Sequence, residues 1–200
     1  MARFCAADAD SAIAFDTLYA RYKDKTWRYF CRNFYSHGRG TNEDAARDAQ
    51  QELWLKLIER RQQYRAENRF AGYLFSMAHS VLIDAQRKTL RVIDAATDAS
   101  ADVGEVTGTT AEEPPQASHL QRMLVALQLA IAALPLQQRT TFVMYQESGM
   151  SYSDIAAATA TNTETVKSRL RYARKKLTED MRQEFGEDGL DKEDLSHAGH

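Results

Sequence analysis

The segment "NTETVKSRLRYARKK", Asn162 to Lys176, sets six cations against one acid. They are Lys167, Arg169, Arg171, Arg174, Lys175 and Lys176, facing Glu164. Cations at that density can neutralise phosphates and release their counterions, and an arginine can pair bidentately with a guanine edge. A second constellation is Asp44, Asp48 and Gln51 at i, i+4, i+7, with Glu52 and the apolar Leu55 beside them. Residues so spaced share one helix face. That face could dock on a partner helix or could be a solvated acidic surface. A third is the loop "YRAENRF", where Tyr64 and Phe70, followed by Tyr73 and Phe75, interleave with Arg65, Asn68 and Arg69. Aromatic rings stack on unpaired bases while arginines hold phosphates, and a base drawn out of a duplex needs such a pocket. The same rings could equally be core.

The elements that must position these groups are helical. Gly and Pro are few, and apolar residues recur at helical rather than alternating spacing. Ser151 with Asp154, and Thr161 with Glu164, have N-cap spacing. They predict a short helix over 152–159 and a longer one over 162–177, a helix-turn-helix. In the longer helix Val166, Leu170, Ala173 and Leu177 face inward. Thr163, Glu164, Thr165, Lys167, Ser168, Arg171, Tyr172, Arg174 and Lys175 are the candidate DNA-facing set, the N-terminal half at base edges and the rest at phosphates. Ala160 stands in the turn where glycine is common, so the join must avoid positive φ or accept some strain.

Upstream, "HLQRMLVALQLAIAAL", stopped by Pro135, and "LQQRTTFVMYQES", ended by Gly149, read as two further helices. The first block holds three more. One spans about 9–34, with Phe15, Leu18, Tyr22, Thr26, Tyr29 and Phe30 on its inner side and Trp27 off that stripe. One is capped by Thr41. One is "AGYLFSMAHSVLIDAQRK", burying Leu74, Met77, Ala78, Val81, Leu82 and Ala85. The expected layout is all-α: a helical domain over 9–88, a flexible acidic linker over 89–117, a helix-turn-helix domain over 118–180 and an acidic tail over 181–200.

The formal net charge of -2 hides a pattern. Residues 1–88 carry +4, 89–117 carry -5, 118–177 carry +5 and 178–200 carry -6. A polyanion would meet the basic blocks separately, so the whole-chain balance misleads. Cys5 and Cys31 lack metal-ligand spacing, which argues against a disulfide framework and for a reducing cytoplasm. No run approaches the roughly 20 apolar residues of a membrane span, and "MARFCAADADSAIAF" has acids where a signal peptide is apolar. No nucleophile–base set, phosphate-binding glycine loop or metal cluster is present. His37, His79, His119, His197 and His200 are scattered. Neither an enzyme nor a cofactor or metal is expected.

In order, the D-x-x-Q-E of Asp48, Gln51 and Glu52, the helix "YLFSMAHSVLIDAQRK", "ALPLQQRTTFVMY" and "YSDIAAATATNTETVKSRLRYARKKL" resemble a bacterial RNA polymerase sigma factor of the extracytoplasmic-function (ECF) group. The resemblance covers roughly residues 12–180. It implies two helical domains on a linker and a role in promoter recognition and transcription initiation. The partners implied are core RNA polymerase (its β′ coiled coil and β flap), promoter DNA and an anti-sigma factor. By position, Asp44, Asp48, Gln51, Glu52 and Leu55 would dock on core polymerase. Tyr64, Arg65, Asn68, Arg69, Phe70, Tyr73, Ser80, Arg87 and Lys88 would serve the -10 element, and the set on the last helix the -35 element. The acidic linker resembles those that thread through the polymerase toward the RNA exit path. Ser80 replaces a common Asn and Tyr73 a common Trp, which puts the -10 preference in question. The rival reading is a stand-alone helix-turn-helix regulator with a helical sensing domain. A third is a helical interaction protein that mimics such a subunit.

Overall fold

The structure, a computed structural model, describes residues 10–36, 40–64, 70–98 and 119–186. Among them are seven α-helices: α1 Asp10–Asn33, α2 Glu43–Glu59, α3 Phe70–Asp98, α4 His119–Ala133, α5 Leu136–Ser148, α6 Tyr152–Ala158 and α7 Thr163–Phe185. A two-residue antiparallel ladder, β1 Tyr35–Ser36 with β2 Gly40–Thr41, pairs Tyr35 with Thr41. A single turn of 3-10 helix, Arg61–Gln63, follows α2. No described helix is long and apolar enough to cross a membrane.

The first module is α1, α2 and α3. The expected inner side of α1 is inward: Leu18, Thr26, Tyr29 and Phe30 are buried, and Phe15, Tyr22 and Trp27 pack on the core. Thr26 is tolerated there because its hydroxyl donates to the Tyr22 carbonyl at 3.0 Å. Ala46, Ala49, Leu53, Trp54 and Leu57 of α2 form a helical stripe against it. Leu74, Phe75, Ala78, Val81 and Leu82 of α3 complete the core, with Phe75 edge-on to Tyr29 at 5.5 Å. Ala85, expected in the stripe, is only half-buried.

Four boundaries differ from expectation. The cap of α2 is Asn42, not Thr41: its side chain accepts from the Ala45 amide at 3.0 Å. The cap of α7 is Asn162, not Thr161, accepting from the Thr165 amide at 2.7 Å. And α3 continues ten residues past Lys88 to Asp98, into the expected linker, because "TLRVIDAATD" contains neither Gly nor Pro to stop it. Helix α7 likewise runs past Leu177 to Phe185.

The second module is α4 to α7. Pro135 breaks the chain between α4 and α5, and Gly149, at φ +67, ends α5 in the left-handed conformation that only glycine adopts without penalty. Ser151 caps α6 as expected, accepting from the Asp154 amide at 3.2 Å. Ala160 does adopt positive φ, +50, so the turn accepts the strain.

Candidate nucleic-acid interface

Helix α7 buries Val166, Leu170, Ala173 and Leu177, as its spacing requires. That registers the opposite side to solvent. Thr163, Glu164, Lys167, Arg171, Tyr172 and Lys175 are exposed, and Thr165, Ser168 and Arg174 are half-buried. Lys167 reaches Glu164 at 2.8 Å, which raises the ammonium pKa through that hydrogen bond and charge. Both groups are open to water, so the pair is weak and exchangeable. The Arg171 guanidinium lies 5.1 Å from the Tyr172 ring centre, a stacked pair held outward. Arg174 instead turns back over the Tyr145 ring at 5.3 Å. Arg169, outside the expected set, hydrogen-bonds Gln137 and lies on the side of α7 that faces His79 of the first module. The face can therefore present a cationic, hydrogen-bonding surface, with α6 packed beside it.

On α2, Asp44, Asp48, Gln51 and Leu55 occupy one solvent-facing row at i, i+4, i+7, i+11. Leu55 is 61% exposed, an apolar side chain left without cover beside two carboxylates. Glu52 turns aside to Lys56 at 2.7 Å, and Asp44 pairs with Arg47 at 3.3 Å.

The aromatic site is divided. Tyr64 and Tyr73 lie together, ring centres 5.0 Å apart and half-buried. Phe70, expected to meet a base, belongs to the core: it is 8% exposed, edge-on to Tyr22 at 5.2 Å and to Tyr64 at 5.9 Å. Arg65, Asn68 and Arg69 lie outside the described residues. Tyr73, Ser80 and Arg87 recur every seventh residue along α3, so they form one row, with Lys88 at its end. Ser80, Arg87 and Lys88 are exposed.

The modules meet directly. Helix α1 packs on α5, and α3 on α6. Glu147, in the last turn of α5, is 8% exposed and accepts from Arg28 Nε at 2.7 Å and Arg32 Nη1 at 2.5 Å. Thr140 donates to Asn33 Oδ1 at 3.0 Å, and Arg139 donates to the Tyr35 carbonyl at 3.4 Å. A Cβ built on Gly72 would lie 3.7 Å from Asp154 Cβ. Sequence reasoning missed Arg28, Arg32 and Glu147. One signal was present: an acid at a helix C-terminus opposes the helix dipole and needs a cation from elsewhere.

Two comparisons give this geometry its class. Residues 18–92 match the family model for sigma-70 region 2, and residues 124–177 the model for sigma-70 region 4. Those two regions, on an all-helical fold, define a sigma-type transcription initiation subunit. Among sequence relatives, the chain is 29% identical over 151 residues to the ECF RNA polymerase sigma factor EcfG of Rhodopseudomonas palustris, covering 74% of this chain and 79% of the relative. It is 26% identical over 172 residues to the ECF RNA polymerase sigma factor SigE of Mycolicibacterium smegmatis, covering 85% and 62%. Among solved structures, the fold is similar to the sigma factor RpoE of Bartonella quintana, solved in complex with the anti-sigma factor NepR. The TM-score is 0.65 and the identity 20%, over 84% of this chain and 97% of that one. It is also similar to CnrH, solved in complex with the cytosolic domain of CnrY, at TM-score 0.59 and 16% identity over 88% and 91%. The chain belongs to the sigma-70 family, as an ECF sigma factor that directs promoter recognition.

Proposed function

We propose the following division of labour for the promoter-recognition role. The first module docks on core RNA polymerase through Asp44, Asp48, Gln51, Glu52 and Leu55 of α2. It engages the opened -10 element through Tyr64, Tyr73, Ser80, Arg87 and Lys88, with Arg65, Asn68 and Arg69 supplied by the adjoining loop. The second reads the -35 major groove through Thr163, Glu164, Thr165, Lys167, Ser168, Arg171, Tyr172 and Lys175 of α7, with Arg174 at its edge. The chain works in the cytoplasm as a non-enzymatic subunit, and the polymerase supplies the chemistry. The boundaries 9–88 and 118–180 serve for the two modules, with α3 extending beyond the first. An anti-sigma factor is proposed as a further partner, because one of the fold relatives, RpoE of Bartonella quintana, was solved in complex with the anti-sigma factor NepR.

The observation that carries this reading is the exposed cationic face of α7, fixed in register by the buried row from Val166 to Leu177. The test is transcription in vitro. Core polymerase plus this chain should start transcripts at defined sites. A stand-alone regulator would bind duplex DNA yet start none without another sigma factor, and that outcome overturns the proposal. Changing Asp48 and Glu52 to Lys should weaken association with core polymerase while helical content is retained. Unchanged affinity would move the docking face elsewhere.

A further inference from the structure

The cations of α7 are not equivalent. Each lysine has a carboxylate on its own helix: Lys167 with Glu164 at 2.8 Å, Lys175 with Glu179 at 3.7 Å and Lys176 with Asp180 at 2.7 Å. Arg169, Arg171 and Arg174 have none among the described residues. Arg169 donates to Gln137 Oε1, and Arg171 and Arg174 lie over the Tyr172 and Tyr145 rings. Of the three, only Arg171 is exposed. A guanidinium left in that state attracts whatever polyanion is at hand.

The chain itself supplies one. Residues 187–200, outside the described residues, hold Glu187, Asp188, Asp191, Glu193 and Asp194 against Lys192, five acids within eight positions. Residues 99–118 spread four acids over twenty positions and make a far weaker counterpart. The point from which residues 187–200 depart is fixed. Phe185 sits edge-on to His119 of α4 at 5.6 Å. Gly186, at φ +76 and ψ 178, then breaks α7 in a conformation essentially reserved for glycine. Without that break an acidic run would go on along the helix axis, away from the arginines. Arg171 lies fifteen residues before Gly186, which is about 22 Å along the axis at ~1.5 Å per residue. A segment of about fourteen residues can span at most about 50 Å. The acids therefore reach Arg171 with length to spare.

We propose that residues 187–200 fold back on the exposed Arg171 face of α7 and compete there with duplex phosphates. This rests on the reading of α7 as the duplex-binding helix. The segment is tethered to the helix it covers, so individually weak ion pairs act at a high effective concentration. Competition of this kind lowers the affinity of every duplex by one common factor. Only sites that bind strongly on their own account stay occupied.

The test compares the unaltered chain with two variants. One ends at Gly186. The other keeps all 200 residues and carries Glu187→Gln, Asp188→Asn, Asp191→Asn, Glu193→Gln and Asp194→Asn. Both variants should bind a -35 duplex and an unrelated duplex more tightly than the unaltered chain, each by roughly fivefold at low salt. Without DNA, the backbone amide resonances of residues 163–175 should differ between the unaltered chain and the neutralised variant, most of all at Arg171. That difference should fade toward about 1 M salt, where the Debye length is about 3 Å.

Identical α7 resonances overturn the proposal even if duplex affinity rises, because acids that merely repel DNA at a distance would raise it without touching the helix. Differences that grow with protein concentration place the segment on a second copy and overturn it as well. If no form of the chain binds duplex, the DNA reading of α7 fails instead, and the resonances still decide whether the segment covers the helix.

Discussion

Thr140 and Asn33 meet across the seam between the modules, 107 positions apart in the chain, with the threonine hydroxyl donating to Asn33 Oδ1 at 3.0 Å. Neither has access to water: they are 1% and 2% exposed. Asn33 in turn donates to the Tyr29 carbonyl at 2.8 Å, so the bond ties α5 to the backbone of α1. Thr140→Val keeps the volume and leaves the Asn33 oxygen without its donor. It should destabilise the packed chain by about 1–3 kcal/mol, read as a lower denaturant midpoint at unchanged secondary structure. An unchanged midpoint would mean that the seam is open in solution.

Arg171 is exposed on the face of α7. Arg171→Ala should weaken binding to a -35 duplex by about 1–3 kcal/mol if it reads a base edge, with relaxed preference at one position. Lys167→Ala should instead weaken all duplexes alike and lower the salt slope by roughly one. Titrations at several salt concentrations separate the two. Undiminished affinity in the Arg171 variant removes that residue from the interface.

Ala160 sits at φ +50 in the turn between α6 and α7. A non-glycine residue there is strained by roughly 1–2 kcal/mol, while glycine in the unfolded chain has an opposing entropy of about 0.5–1 kcal/mol. Ala160→Gly should therefore stabilise the second module by a fraction of a kcal/mol, up to about 1. A lowered melting temperature would contradict this.

His79 links acidity to the same seam. It lies on α3, with Nδ1 3.5 Å from the Tyr29 hydroxyl of α1 and Arg169 of α7 nearby. Burial, and then the arginine charge, lower its pKa below the ordinary 6.5. The packed state thus favours neutral imidazole. Its stability is complete above 6.5 and falls as the pH drops below that value toward the depressed pKa, because the unfolded chain takes up the proton first. His79→Gln should flatten the dependence of melting temperature on pH below 6.5. An equally steep profile in the variant would assign the dependence to another group.

Much of this was legible from residue spacing. The inner row of α7, the limits of α5 and the cap of α6 follow from periodicity, Pro135, Gly149 and Ser151, all local signals. The two misplaced caps share one cause. Each lies at a Thr-Asn pair, Thr41-Asn42 and Thr161-Asn162, and both times the asparagine takes the amide, in keeping with its higher rank as an N-cap. The extent of α3 was hidden because an acidic, alanine-rich stretch has the composition of a linker even where, as here, no helix breaker intervenes before Asp98. Phe70 illustrates a different limit: an aromatic beside arginines looks the same in sequence whether it stacks on a base or on Tyr22. The seam was not legible at all. Its pairings join residues more than 100 positions apart, and no periodicity links Arg28 to Glu147.

The side chains that cross the seam near Glu147 are arginine, glutamate, asparagine and threonine. Each hydrates well, so at that spot water could stand in for what the protein supplies, although one continuous apolar core runs through both modules beside it. A joint of leucines and phenylalanines in that place would have made separation resemble melting. Here the polar pairs instead decide which surfaces of that core may meet, since any other register would strand the Glu147 carboxylate without its cations.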